Sequence, residues 1–155
     1  MFFSNIEFIN AAIFQDGKAI LDNINVNISK GEFVYLVGKV GSGKSSFIKT
    51  LIADIPLQKG EGRILGYQLH KLSRKEIPQL RRKVGVVFQD FQLLTDRNVH
   101  DNLKFVLQAT EWTNEDDIKK RIKEVLQKVV LTEKEFRMPN QLSGGEQQRV
   151  VIARA

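Results

Sequence analysis

The sequence predicts an α/β fold organised around a phosphate-binding loop, and three observations carry that prediction. Residues 38–45 read Gly38-Lys39-Val40-Gly41-Ser42-Gly43-Lys44-Ser45, with glycines and a Lys-Ser pair at the spacing of a P-loop. The apolar run Phe33-Val34-Tyr35-Leu36-Val37 leads into it and Lys44-Ser45-Ser46-Phe47-Ile48-Lys49-Thr50-Leu51-Ile52-Ala53 leads out, so strand, loop and helix come in the order a phosphate cradle requires. A second short run, Val84-Gly85-Val86-Val87-Phe88, reads as another buried strand.

The loop chemistry follows from residue type. Gly38, Gly41 and Gly43 let the backbone wrap an anion with its N–H groups inward, so that Lys39, Val40, Ser42 and Ser46 contribute mainly through the main chain. The helix start adds unpaired N–H donors and the positive end of the helix dipole. Lys44 can reach the β- and γ-phosphates of ATP, and the Ser45 hydroxyl is placed to ligate Mg²⁺. The plain alternative is a glycine-rich turn before an ordinary helix.

Composition narrows the classes. At 155 residues with 42% apolar content, one domain with a real core is expected. Without cysteine there are no disulfides and no thiolate metal sites, which fits a reducing compartment. The N-terminus lacks the basic and apolar segments of a signal peptide, and the apolar runs are too short to span a bilayer. The net charge of +6 could mark a nucleic-acid binder, but the basic residues are spread along the chain and mixed with acids, as between Glu115 and Lys128. A solvated surface with a few phosphate-binding groups, and no nucleic acid partner, is the better reading.

Upstream of the loop, residues 5–29 read as two strands. Ile6, Phe8, Ile13 and Phe14 give a partly alternating first strand, and Asp16-Gly17-Lys18 a turn. Ile24, Val26 and Ile28 alternate with Asn23, Asn25, Asn27 and Ser29, as in a strand with one wet face. Phe14 has two readings, a ring for stacking on a nucleotide base or a core residue at a strand end, and the residues alone favour the core.

Downstream, Pro56 to Gly62 reads as a loop before a short strand near Arg63-Ile64-Leu65. Ser73 and Glu76 have capping-box spacing for a helix over Arg74–Lys83, which Pro78 should shorten, kink or break. The strand ending at Phe88 delivers Gln89-Asp90 to its carboxyl end, where open α/β sheets bind ligands. The Gln89 amide oxygen can ligate Mg²⁺ while holding a water, and the residue reads equally well as an ordinary loop Gln. Asn98 is expected to cap a helix through Leu107. Thr113 is expected to cap another, with a core stripe of Ile118, Ile122, Val125, Leu126 and Val129.

In Gln141-Leu142-Ser143-Gly144-Gly145-Glu146-Gln147-Gln148-Arg149, Ser143 and Glu146 form a capping box, so the minimal reading is a helix start. Two glycines in that first turn cost helix stability, yet leave its N–H groups bare for close approach of a second anion.

Together these motifs resemble the ATP-binding subunits of ABC transporters. The P-loop is similar to their Walker A segment, Phe14 to their aromatic A-loop, Gln89 to their Q-loop, and Leu142-Ser143-Gly144-Gly145-Glu146 to their signature. The resemblance covers essentially the whole chain. It implies a RecA-like core with an N-terminal antiparallel β part and an inserted α-helical subdomain. The corresponding segments are about 1–90 for the core, about 91–141 for the helical subdomain and 142–155 for the signature helix. It further implies MgATP hydrolysis with Lys44 and Gln89 as catalytic residues, and a head-to-tail homodimer. In that dimer ATP lies between the P-loop of one subunit and Ser143, Gly144, Gly145 and Glu146 of the other. Within the family, Ile77 to Lys83 and Phe88 to Val99 look most like the cell-division ATP-binding subunits, which work at the cytoplasmic face of the inner membrane with an FtsX-like membrane subunit. Lipoprotein-release and macrolide-export ATPases have similar neighbourhoods and are the alternative.

Val40 and Ser46 are small departures, because Ser or Asn and Thr are more usual there. A larger one is the end of the sequence at Ala155, inside the signature helix, before any apolar strand ending in Asp-Glu, D-loop or switch histidine. His70 and His100 precede the signature and do not match that histidine. The C-terminal part of the core is therefore expected to be missing, and the 155 residues alone to be an inactive, non-hydrolysing nucleotide-binding fragment. A DNA-associated ATPase with the same head is the other class to weigh. Such proteins carry long coiled coils or zinc modules between Walker A and signature, where this chain has a compact insertion and no Cys.

Overall fold

The structure is a computed structural model that describes residues 4–155. Two compact units divide the chain, the first ending at Val84 and the second running from Gly85 to Ala155.

The first unit is built on a long hairpin, β1 (Ser4–Gln15) and β2 (Lys18–Ser29). Asp16 and Gly17 turn the chain with φ of 50° and 75°, the left-handed pair that a two-residue hairpin with native twist demands. β3 (Lys59–Ile64) pairs antiparallel with the other edge of β1, and the short β4 (Tyr67–Gln68) follows it, giving the order β2-β1-β3-β4. Register shifts along β1 between Phe8 and Ala11, and again up to Phe14, let Phe8, Ala11 and Ile13 all face the core. There they meet Phe47 and Leu51 of α1 (Lys44–Leu51), Leu57, Ile64, Leu69, and Leu80 of α2 (Ile77–Arg81). The antiparallel N-terminal sheet is as the sequence predicts, except that β3 begins at Lys59, inside the segment expected to be a loop.

α2 is shorter than its capping box suggests. Ser73 donates from its backbone N–H (2.9 Å) and hydroxyl (2.6 Å) to the Glu76 carboxylate, but the helix starts only at Ile77. A helix begun at Arg74 would need an N–H from Pro78, which proline lacks. One begun at Ile77 keeps Pro78 in the first turn, where no donor is required.

The second unit packs three helices, α3 (Val99–Ala109), α4 (Glu115–Lys128) and α5 (Gly144–Arg154), around Val99, Leu103, Ile118, Ile122, Leu126, Leu131, Leu142 and Val150. Asn98 caps α3 as expected, accepting from the Asp101 N–H at 2.8 Å. The cap of α4 is Asn114 rather than Thr113: its Oδ1 accepts from both Asp116 and Asp117 N–H groups, at 2.9 and 3.1 Å. The amide side chain lies one residue nearer the helix and is the better acceptor for those donors.

Two expected strands are not strands. Among the described residues nothing pairs with 33–37 or with 84–88. Phe33 and Val37 are 82% and 83% exposed, the opposite of the burial their composition predicts. A run of β-branched and aromatic residues favours extended backbone, but a strand exists only as part of a ladder, and propensity cannot substitute for neighbours.

Candidate phosphate-binding site

The loop between residue 37 and α1 folds on itself through its own main chain. Ser42 N–H donates to the Lys39 carbonyl at 3.2 Å, and Gly41 and Gly43 take φ of 78° and 87°. Gly43 is required twice over. Its backbone is left-handed, and a Cβ there would lie 2.8 Å from Leu21 Cγ and 2.9 Å from Ile20 Cγ2 of β2. The loop thus exits directly against the hairpin, and α1 begins at once, with the Phe47 N–H donating to the Gly43 carbonyl at 2.9 Å.

No side chain caps α1 and no acidic residue stands in its first turn, so the N–H groups of Lys44, Ser45 and Ser46 have no carbonyl within the helix. The Lys44 ammonium folds back across the loop and donates to the carbonyls of Gly38 (2.8 Å) and Lys39 (2.7 Å). An ammonium has three donors, so one remains for a further acceptor. Bare N–H groups, a dipole end and a tethered cation converge on a space that suits an oxyanion. Ser45 is exposed at the rim.

The helix behind the loop is well anchored. Phe47 packs on Phe8 with ring centroids 5.1 Å apart, and buried Thr50 returns its hydroxyl to the Ser46 carbonyl at 2.9 Å. At the other end of α1, the Arg81 guanidinium donates to the carbonyls of Ile52 (2.9 Å) and Ala53 (3.4 Å), matching the negative end of the dipole.

Phe14 joins this neighbourhood. It is half-buried, unlike the fully buried Ile13, and sits across from Ala19, next to the Ile20 and Leu21 side chains that press on Gly43. Phe14 therefore stands at the end of β1, on the hairpin whose second strand meets the loop exit.

Gln89 and the Ser143 helix belong to the second unit. Gln89 is exposed in a turn. Ser143 forms the full capping box: its N–H and hydroxyl donate to the Glu146 carboxylate at 2.8 and 2.9 Å, and the Glu146 N–H returns to Ser143 Oγ at 3.3 Å. These bonds hold the Glu146 carboxyl below its usual range, with Lys134 adding an ion pair at 3.3 Å. A Cβ on Gly144 would meet nothing within 4 Å, and one on Gly145 only a guanidinium nitrogen of Arg149 at 3.9 Å. Neither glycine has a positive φ. The fold of this unit does not require them.

Sequence reading missed Asn102. This buried residue of α3 donates through Nδ2 to the carbonyls of Leu94, Arg97 and Asn98 and accepts from the Leu94 N–H at 2.8 Å, pinning the loop that follows Gln89. A polar residue between Val99 and Leu103 on an apolar helix face was the available signal.

Comparison with known proteins decides what this loop belongs to. A family model described as ABC transporter matches residues 21–155. The chain belongs to that family. Among curated relatives, the cell division ATP-binding protein FtsE of Streptococcus pneumoniae is 43% identical over 142 residues, covering 92% of this chain and 61% of its own length. FtsE of Mycobacterium tuberculosis is 47% identical over 138 residues, covering 89% and 60%. The methionine import ATP-binding protein MetN of Helicobacter pylori is 38% identical, covering 92% of this chain and 43% of its own length. Of solved structures, the dimeric bacterial ABC transporter cassette MJ0796 superposes with a TM-score of 0.85 at 34% identity, over 96% of this chain and 68% of that one. The same cassette in a post-hydrolysis state bound to ADP and Pi gives 0.84 at 32%, with the same coverage. The α/β fold is thus that of an ABC cassette, and the chain spans about three fifths of the length of its FtsE relatives. Among the described residues no helix is long and apolar enough to cross a membrane.

Proposed function

We propose that this chain binds MgATP in the loop 38–46, and that the whole protein hydrolyses it to drive or gate a membrane partner. The observation that carries this reading is Lys44. Its ammonium is held over the loop by the Gly38 and Lys39 carbonyls, above a helix start that no side chain or acid fills. A triphosphate would receive the N–H groups of Gly41 to Ser46, with Lys44 on its β- and γ-oxygens. The relative bound to ADP and Pi supports a nucleotide as the ligand.

Mg²⁺, when bound, neutralises charge on the β- and γ-phosphates. Among the described residues no cluster of three or more His, Cys, Asp or Glu could hold a metal by itself. The exposed Ser45 hydroxyl and the Gln89 amide suit an ion that keeps most of its ligands from phosphate and water. Phe14 stacks on the base. Gln89 holds a water near the γ-phosphate.

The second half of the reading is a head-to-tail dimer. Gly144 and Gly145 serve no purpose within their own unit, so we assign them to close approach by the nucleotide of a second copy, with Ser143 and Glu146 at the same helix start. The MJ0796 cassette is described as dimeric, which supports the arrangement. The names of the FtsE relatives support a cell-division role; work at the cytoplasmic face of the membrane with an FtsX-like subunit is our extension of that role. An ATPase of a transporter is the second reading: the sequence resemblance suggests a lipoprotein-release or macrolide-type exporter, and the likeness to MetN supports an importer.

Light scattering on the natural full-length protein with a non-hydrolysable ATP analogue tests the dimer. Wild type is expected to dimerise, and Ser143→Arg to bind nucleotide yet stay monomeric. Undiminished dimer in the variant would remove the signature helix from the interface.

A further inference from the structure

We propose that Arg154 is a positioning residue for Gln89, so that the helix beginning at Ser143 sets the backbone on which Gln89 stands; the inference rests on the role given to Gln89 above. Arg154 lies in the last turn of α5, where a cation ordinarily serves its own helix's carbonyls. Its guanidinium instead reaches back along the sequence and forks: Nη1 donates to the Gln92 carbonyl and Nη2 to the Phe91 carbonyl at 3.0 Å.

Those two carbonyls belong to an unusual pair. Phe91 and Gln92 have φ of 58° and 48°, adjacent left-handed residues without glycine's freedom. Such a kink persists only when its surroundings hold it, and two parallel donors from a planar fork are suited to do so. Burial has stripped the guanidinium of part of its water, which lowers its pKa. The other end of the segment passes close to the residue that caps the same helix. A Cβ on Gly85 would lie 2.5 Å from the Ala155 carbonyl oxygen, so only glycine lets the chain pass there. Residues 85–92, with Gln89 between, thus meet the last residue of α5 at one end and its C-cap residue at the other.

Gln89 itself is exposed, so its side chain takes its position from the backbone rather than from packing. A displacement of the signature helix would therefore be passed through Arg154 to the Gln89 turn. A purely structural Arg154 would stabilise the unit without affecting that turn selectively.

The test uses the natural full-length protein and its Arg154→Ala, Arg154→Lys and Gln89→Ala variants. Hydrogen exchange is read at the amides of 90–93 and 144–150, and turnover is read alongside nucleotide affinity. Arg154→Ala is expected to exchange faster at 90–93 but not at 144–150. Its kcat should fall about ten- to hundredfold with ATP affinity unchanged, the effect of misplacing a group by about 1 Å. Arg154→Lys should recover part of the loss, and added guanidinium ion should partly rescue Arg154→Ala but not Gln89→Ala. Unchanged exchange at 90–93 overturns the clamp whatever turnover does, and equal acceleration at both segments overturns it in favour of a structural role. If Gln89→Ala leaves kcat intact, the role of Gln89 fails while the exchange data still decide the clamp.

Discussion

Lys44 is tethered before any ligand arrives. With two donors on the Gly38 and Lys39 carbonyls, its charge sits over the loop without having to be ordered on binding, which lowers the entropic cost of capturing phosphate. Phe14 is placed by a different device, a register shift in β1 that turns Ile13 into the core and leaves the next ring half-exposed beside the loop exit. Phe14→Ala should therefore weaken ATP and GTP alike by about 1–3 kcal/mol, with melting temperature nearly unchanged. Calorimetric titration with both nucleotides checks this; lost stability with intact affinity would make Phe14 a core residue. These two positions also mark what sequence could and could not resolve. Lys44 was legible because its partners lie within six residues of it, whereas Phe14 stayed ambiguous until the hairpin register was known. Asn102 left a local signal, a polar residue on an apolar helix face, whereas Arg154 acts on loop carbonyls distant in sequence, and local patterns carry no trace of such partners.

Among the elements, α5 has the most telling start. Its capping box was legible from Ser143 and Glu146, and the structure adds that Gly144 and Gly145 stand in open space. Gly145→Ala should leave the second unit as stable or up to about 1 kcal/mol more stable. In the full-length protein it should nonetheless reduce ATP-dependent dimerisation. Thermal melting and light scattering on one preparation separate the two effects; a loss of stability would show that the glycine serves the fold.

The same box predicts a pH dependence. Hydrogen bonds from Ser143 hold the folded Glu146 carboxyl below its usual range, so its contribution is present above the unfolded-state pKa and is lost as pH falls through the folded one. Wild type should lose more stability than Glu146→Gln between neutral pH and about pH 3. Equal losses in acid melts of the two would contradict it. Elements with their own internal signals (the hairpin, α1, α3, α4 and α5) were foreseen from sequence, while 33–37 and 84–88, expected as strands, stand unpaired, because pairing is not a local property.

At the scale of the whole molecule, the exposed run Phe33-Val34-Tyr35-Leu36-Val37 has unpaired backbone and apolar side chains immediately before the loop. Such a segment is a template for pairing with another chain. Residues 1–155 expressed alone should self-associate, and Tyr35→Lys should reduce that association in sizing experiments.

The central claim is narrower than turnover: the loop at 38–46 holds the phosphates of MgATP, and Lys44 is its tethered positive charge. Titration calorimetry of MgATP into the natural full-length protein and its Lys44→Ala variant tests it most directly. Charge-assisted hydrogen bonds of this kind are worth about 1.5–3 kcal/mol, so affinity should fall roughly ten- to hundredfold while the melting temperature of the nucleotide-free protein is preserved. Equal affinities for wild type and variant would contradict the account.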